Sequence, residues 1–233
     1  MAQEVEKYIQ GKLAQAGFYD GDIDGVWGPL SDDAFDKLLS AAKVYSEVSF
    51  VPPAPGSTSV KPQMAWGAKV SPLFKERVLW IGQDLDLDPD DLMSCIAWES
   101  GETFKPDIKN AAGSGATGLI QFMPSTARSL GTTTEALARM TAEDQLNFVY
   151  KYFRPYKGKL KTLGDIYMAI LWPLGVGKSD DFVLFDKNDA RYPKRYLQNK
   201  GLDTDANGKV TKREAYGKVQ AKLTKGLGAG YYG

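Results

Sequence analysis

A chain of 233 residues has room for one large domain, or for one medium and one small domain, and its apolar fraction of 43% supports a packed core. Its single cysteine, Cys95, excludes an internal disulfide, and the absence of histidine excludes Ser-His and Cys-His catalysis and His-ligated zinc. Net charge is zero but uneven: residues 1–50 hold 4 Lys against 9 acidic residues, whereas residues 186–233 hold 11 Lys and Arg against 5 acidic residues. A basic C-terminal end suits anionic polymers, and an ordinary solvated surface is the plainer alternative. The N-terminal Met1-Ala2-Gln3-Glu4-Val5-Glu6-Lys7 is acidic and lacks an apolar core segment, so no signal peptide is expected. The longest apolar stretch, around Ile166 to Val176, is too short to span a bilayer and contains Pro173 and Gly175.

In chain order, Val5, Ile9 and Leu13 make a helical stripe ended by Gly17. The stretch from Gly17 to Gly28 is turn-rich, with glycines that allow positive φ. Asp32 to Ala42 reads as a second helix with Ala34, Phe35, Leu38 and Leu39 inward. So short a stretch builds a thin core, which suits a docking module and not an enzyme. The segment Gly21-Asp22-Ile23-Asp24-Gly25-Val26-Trp27-Gly28 resembles the signature of the peptidoglycan-binding domain found at the ends of cell-wall hydrolases. That resemblance implies a wall-binding domain over residues 1–48, with Tyr19, Asp24 and Trp27 as candidate wall contacts. Loop packing and turn capping are their alternative roles.

Residues 49–69 read as a linker. Val51-Pro52-Pro53-Ala54-Pro55-Gly56-Ser57-Thr58-Ser59-Val60-Lys61-Pro62 is dense enough in proline to be extended and semi-rigid. Such a spacer lets a docked module raise the local substrate concentration for its neighbour.

From residue 70 to 233 the pattern is mainly helical. The expected helices are Phe74–Leu85, Pro89–Ser100, Pro124–Leu130, Thr133–Met140, Ala142–Phe153, Leu163–Leu171, Ala190–Asn199 and Arg213–Thr224. Val183–Phe185 and Gly118–Phe122 are the best strand candidates, so at most a small sheet is expected beside an α-dominated domain.

One carboxylate stands out. Asp88 reads as an N-cap and Pro89 as the first helical residue. Leu92, Cys95, Ile96 and Glu99 follow at i, i+3, i+4 and i+7, which puts Glu99 on the apolar face, and Gly101 stops the helix. Desolvation and the helix macrodipole both oppose negative charge there, as a general acid requires. A helix-terminal glutamate reaching water past apolar neighbours is the plainer alternative. Cys95, on the same face, reads as a small core residue.

Glu99-Ser100, then Gly118-Leu119-Ile120-Gln121 and Met123-Pro124-Ser125-Thr126-Ala127, resemble the soluble lytic transglycosylase and goose-type lysozyme superfamily. The nearest resemblance is to modular endolysins of phages that infect Gram-negative bacteria, which carry the Gly113–Phe122 segment almost as it stands. The resemblance implies a lysozyme-like catalytic domain over residues 70–233. Its activity would be cleavage of the β-1,4 bond between N-acetylmuramic acid and N-acetylglucosamine, with Glu99 as acid/base and no catalytic cofactor. Beside that acid, Gln121 offers an amide and Ser100, Ser114 and Thr117 offer hydroxyls as candidate sugar contacts, with local backbone bonding as their alternative role; Phe122 and Trp172 are candidate stacking platforms, with the core as their alternative. Peptidoglycan is the expected partner; a monomer is expected, with no nucleic-acid partner. A phage lysin without an export signal would be made in the host cytoplasm and reach the periplasm through a separate holin-like protein.

The family's third motif, Ala-Tyr-Asn before a Gly-Pro-Gly-like turn, is changed here to Leu171-Trp172-Pro173-Leu174-Gly175-Val176-Gly177. That change leaves two products open: a 1,6-anhydro end if the sugar's C6 hydroxyl attacks, or a reducing end if water does. Water attack would call on a second carboxylate, for which Glu102 and Glu143 are candidates. It also keeps open a non-catalytic wall-binding or virion tail protein that retains the fold.

Asp203–Glu214 meets the EF-hand loop pattern: Asp203, Asp205, Asn207, Thr211 and Glu214 at positions 1, 3, 5, 9 and 12, Gly208 at 6, and the backbone carbonyl of Lys209 at 7. A structural Ca²⁺ is the candidate ligand, weakened by Lys209, Lys212 and Arg213, and a metal-free turn held by Asx bonds is the alternative.

Overall fold

A computed structural model describes residues 2–15, 19–26, 28–35, 38, 63–111, 113–190 and 193–233. The chain divides into two compact units, Met1–Val51 and Pro52–Gly233.

In the first unit, α1 spans Ala2–Gln15 and residues 29–35 form α2. Its described interior is small: Leu13 and Ala34 are buried, and with them the polar Gln10 and Ser31. Gln10 ties the loop to the helix. Its Nε2 donates to Asp24 Oδ1 and the Val26 carbonyl, both at 3.1 Å, and its Oε1 accepts from Gly25 N–H at 2.8 Å. A buried amide satisfied on both ends fixes the loop as an apolar side chain could not. Phe35, expected inward, is 40% exposed, and Leu39 lies outside the described residues.

The second unit is mainly helical. Its elements are α3 (Pro72–Leu85), α4 (Pro89–Glu99), α5 (Pro124–Ser129), α6 (Thr134–Ala138), α7 (Ala142–Phe153), α8 (Leu163–Leu171), α9 (Pro193–Asn199) and α10 (Lys212–Gly226). Side-chain caps set the starts: Ser71, Asp88, Thr133, Thr141, Thr162 and Thr211 each accept a hydrogen bond from a first-turn N–H. Helix α4 is the centre. Every residue from Leu92 to Ala97 is buried, and α3, α8 and α10 pack around it. Strands β1 (Val183–Asp186) and β2 (Lys209–Thr211) form the sole sheet among the described residues, antiparallel with Phe185 opposite Val210. Gly118–Phe122 is not a strand. Two hydrogen bonds between Thr117 and Phe122 close it into a tight turn, with Gly118 and Gln121 at positive φ.

The packed unit starts before residue 70. Met64, Ala65 and Trp66, which the composition assigns to the end of the linker, are buried. The Trp66 N–H donates to the Gly226 carbonyl and its indole to the Lys222 carbonyl, while Met64 and Gly233 exchange backbone hydrogen bonds. Gly226 is required here, since a Cβ would stand 2.4 Å from the indole.

One buried ion pair joins α8 to α10. Lys212 Nζ lies 2.6 Å from Asp165 Oδ1, and the two side chains are 3% and 8% exposed. Lys212 also donates to the Lys178 carbonyl, and Asp165 accepts from Gly177 N–H and the Thr162 hydroxyl. Burial alone would raise the Asp165 carboxyl; Lys212 and these donors outweigh it and hold the group below its ordinary value. Lys212→Met keeps the stem but strands the carboxylate, and we expect a loss of about 3–5 kcal/mol in urea denaturation. Lys212→Met with Asp165→Leu should recover most of that; a loss under about 1 kcal/mol for the single variant would show that the pair does not hold the fold.

Candidate active site

Glu99 is the last residue of α4. The chain leaves the helix through Gly101 and Glu102, both left-handed, and Glu102 N–H closes back on the Ala97 carbonyl at 2.7 Å. The Glu99 side chain is half-buried, and among the described residues no hydrogen-bond donor or cation engages its carboxyl. Burial pushes the carboxyl up from the ordinary glutamate value to about 8. Tyr152 of α7 and Tyr167 of α8 flank it. Burial raises both phenols, and the charge of an ionised Glu99 raises them further. Tyr167 accepts from the Trp98 indole at 3.1 Å, and Tyr152 donates to the Ala169 carbonyl at 2.6 Å. A half-buried acid with no counter-charge among the described residues holds its proton up to a raised pH and can deliver it to a substrate oxygen.

Three other carboxylates differ from Glu99 in their surroundings. Glu102 is held by Lys222 and Lys225, each at 2.6 Å, and their hydrogen bonds keep it below its ordinary value. Glu143 accepts from the Ser71 hydroxyl. Asp91 is pushed up to about 6 by burial and by Asp88 and Asp90, but it lies two helical turns from Glu99. None of them is positioned by its bonds to place a water opposite Glu99.

The other expected substrate contacts separate into scaffold and surface. Ser100 is fully buried, and its hydroxyl accepts from Phe104 N–H at 3.1 Å, so it fixes the turn after Glu99 and cannot touch a sugar. Phe122 is 2% exposed and packs edge-on against Tyr152 at 6.2 Å, which makes it core and not a stacking platform. Gln121 is half-buried, its Nε2 donating to the Ile108 and Gly118 carbonyls at 3.2 Å. Ser114 is exposed, its hydroxyl accepting from Ala116 N–H. Trp172 ends α8, half-buried, with Phe185 against its edge and the Arg195 guanidinium 4.7 Å from the ring centre, so one face is already covered. In the first unit, Asp24 caps Val26 N–H and Tyr19 donates to the Asp22 carbonyl, so both serve the loop's own geometry; Trp27 lies outside the described residues.

Three residues that matter here were not singled out by pattern: Tyr152, Tyr167 and Gln145. Gln145 is buried on α7, 26 residues after the loop it holds. It accepts from Leu119 N–H at 2.6 Å and donates to the Pro106 and Leu137 carbonyls. A Cβ on Gly118 would stand 2.3 Å from its Oε1, which explains the glycine.

Residues 81–170 match the family model of the Transglycosylase SLT domain. The matched span contains Glu99, both flanking tyrosines and the Gly118–Phe122 turn, and it supports peptidoglycan-degrading lytic transglycosylase activity in general. No curated protein matches the chain.

In the Asp203–Glu214 loop, carboxylate oxygens of Asp203, Asp205 and Glu214 lie within 4.8 Å of one another. The loop's own hydrogen bonds use them as well. Glu214 accepts from the N–H and hydroxyl of both Thr204 and Thr211, and Asp203 accepts from Gly208 N–H and the Tyr196 hydroxyl. Thr211 caps α10, and Lys209 lies in β2.

The raised Glu99 carboxyl has a stability signature. Between its unfolded value near 4.5 and its folded value near 8 the native state holds a proton that the unfolded chain has lost, so stability falls as pH rises through that window. Glu99→Gln removes the penalty. We expect it to raise the melting midpoint by about 2–8 °C at pH 8 relative to wild type, a gain that fades as pH approaches 4.5. A gain independent of pH would place the carboxyl outside a desolvating site.

Proposed function

We propose that the second unit is a lytic transglycosylase in which Glu99 is the sole acid/base, cutting the β-1,4 bond between N-acetylmuramic acid and N-acetylglucosamine. Protonated Glu99 donates to the bridging oxygen as the C1–O bond breaks. The carboxylate then takes the proton of the muramic C6 hydroxyl as that oxygen bonds to C1, leaving a 1,6-anhydro end and a restored acid. The observation that carries this reading is the isolated, desolvated carboxyl of Glu99 within the SLT match. Because Glu102 and Glu143 are committed elsewhere, attack from within the sugar suits this site better than water activated by a second carboxylate. The Gly21–Gly28 signature supports a peptidoglycan-docking role for residues 1–48, joined by the proline-rich stretch, and with it a phage endolysin that lyses the host from the periplasm.

Mass spectrometry of fragments released from purified peptidoglycan by wild type and Glu99→Gln tests the reading. We expect anhydro-muramic ends from wild type and a rate about 10²–10⁴-fold lower from the variant. Equal release would remove Glu99 from its role, reducing ends would assign the attack to water, and binding without release by either would favour a wall-binding protein. Since the acid must be protonated in the free enzyme, kcat/KM should fall as pH rises past about 8. A falling limb near pH 4–5 instead would mean that Glu99 titrates as an ordinary glutamate.

The Asp203–Glu214 loop serves in this reading as a structural Ca²⁺ loop that steadies the start of α10, an assignment supported by its oxygen spacing and its clustered carboxylates. Calcium should then raise the melting midpoint by several degrees, about 2–4 °C per kcal/mol of binding, reversibly with a chelator and not in Glu214→Gln. No rise would assign the loop to its hydrogen bonds alone.

A further inference from the structure

A cavity of about 520 Å³ opens beside the Gly113–Phe122 segment, lined by Gly115 and Thr117 on one side and by Lys109, Arg128, Glu135 and Arg139. Glu99 is not among its lining residues, yet the two are joined through the turn. Thr117 lines the cavity, its hydrogen-bond partner Phe122 packs on Tyr152, and Tyr152 feels the charge of Glu99.

Its electrostatics are one-sided. Glu135 is the one carboxylate in the lining; it accepts from the Thr134 hydroxyl and faces Lys109. That leaves two guanidinium groups in excess. Arg128 and Arg139 are exposed at the cavity, and among the described residues neither side chain has a carboxylate or carbonyl partner. Exposed guanidinium forks at a concave surface are suited to bidentate capture of carboxylates. The lining has no aromatic ring on which a sugar could stack. The volume lies within the range of small-ligand sites, about 300–1,000 Å³.

We propose that this cavity binds the carboxylates of the stem peptide carried by the muramic acid, through Arg128 and Arg139, and so reads peptide-bearing strands in preference to bare glycan. The proposal rests on the peptidoglycan reading above. It gives the domain a second recognition element: the acid acts at C1 of a sugar whose lactyl group carries an anionic peptide, and a cationic cavity on the flank holds that peptide.

Binding to full-length Glu99→Gln protein by isothermal titration tests this without requiring turnover. A soluble disaccharide tetrapeptide should bind, and adding Arg128→Gln and Arg139→Gln should weaken it about tenfold, the worth of two partly exposed charge pairs. The weakening should shrink at high salt, and the affinity of the same disaccharide without peptide should not change. Glu135→Gln, which removes the competing carboxylate, should tighten the tetrapeptide. Equal affinity across the variants, equal weakening with and without peptide, or displacement by inorganic phosphate at concentrations that match the tetrapeptide would each overturn the proposal. Fragment release by the wild type is read separately. If wild type cuts no strand while the arginine-dependent binding persists, the transglycosylase reading fails and the cavity assignment stands; cutting without arginine-dependent binding gives the reverse.

Discussion

The arrangement around Glu99 depends on a charge pair placed where charges are costly. Lys212 and Asp165 sit almost out of reach of water, and such a pair stabilises only when the remaining donors and acceptors are met. Here they are met by the Lys178 carbonyl, the Gly177 N–H and the Thr162 hydroxyl. The contacts come from three places in the chain: the start of α8, the turn after α8 and the start of α10. Both helices lie against α4, so the pair fixes the walls between which the α4 terminus is held. The turn at residues 171–177 acquires a structural meaning as well. Gly177 has positive φ and turns its N–H onto Asp165, while Trp172 and Pro173 occupy the helix end without entering that network.

Within this frame, carboxylates of similar chemistry behave differently because their surroundings do. Glu99 and Glu102 are three residues apart at one helix end. Glu102 turns outward through a left-handed residue onto two lysines of α10 and stays charged, whereas Glu99 lies within electrostatic reach of the Tyr152 and Tyr167 phenols and, among the described residues, engages no cation. The lysines that neutralise Glu102 are therefore kept from Glu99, and the acid retains its raised affinity for a proton. One short turn separates a structural anion from a proton donor.

What the sequence reveals is what local rules decide. The α4 start at Asp88-Pro89 and the spans of α7 and α8 follow from caps and apolar period, and Glu99 follows from the stripe it extends. What it conceals depends on residues far apart in the chain. Gly118–Phe122 has the composition of a strand, but Gln145 holds it as a turn. Ser100 and Phe122 are types suited to sugar contact, and their burial makes them scaffold. Tyr152 and Tyr167 acquire meaning only when α7 and α8 meet α4. Met64–Trp66 follow a proline-rich stretch and so read as linker, yet their partners lie about 160 residues onward.

That last feature makes residues 64–233 a nearly closed loop of chain. Met64 and Gly233 exchange backbone hydrogen bonds, so these two positions are neighbours in space. Joining Gln63 to Gly233 through a few residues would cost little closure entropy. New ends could then be opened in an exposed stretch such as 157–159, leaving α4 and its surroundings intact. In topological terms, the order in which α3 to α10 are threaded is separable from the packing that shapes the acid, and a docking segment could be attached at other points of the ring.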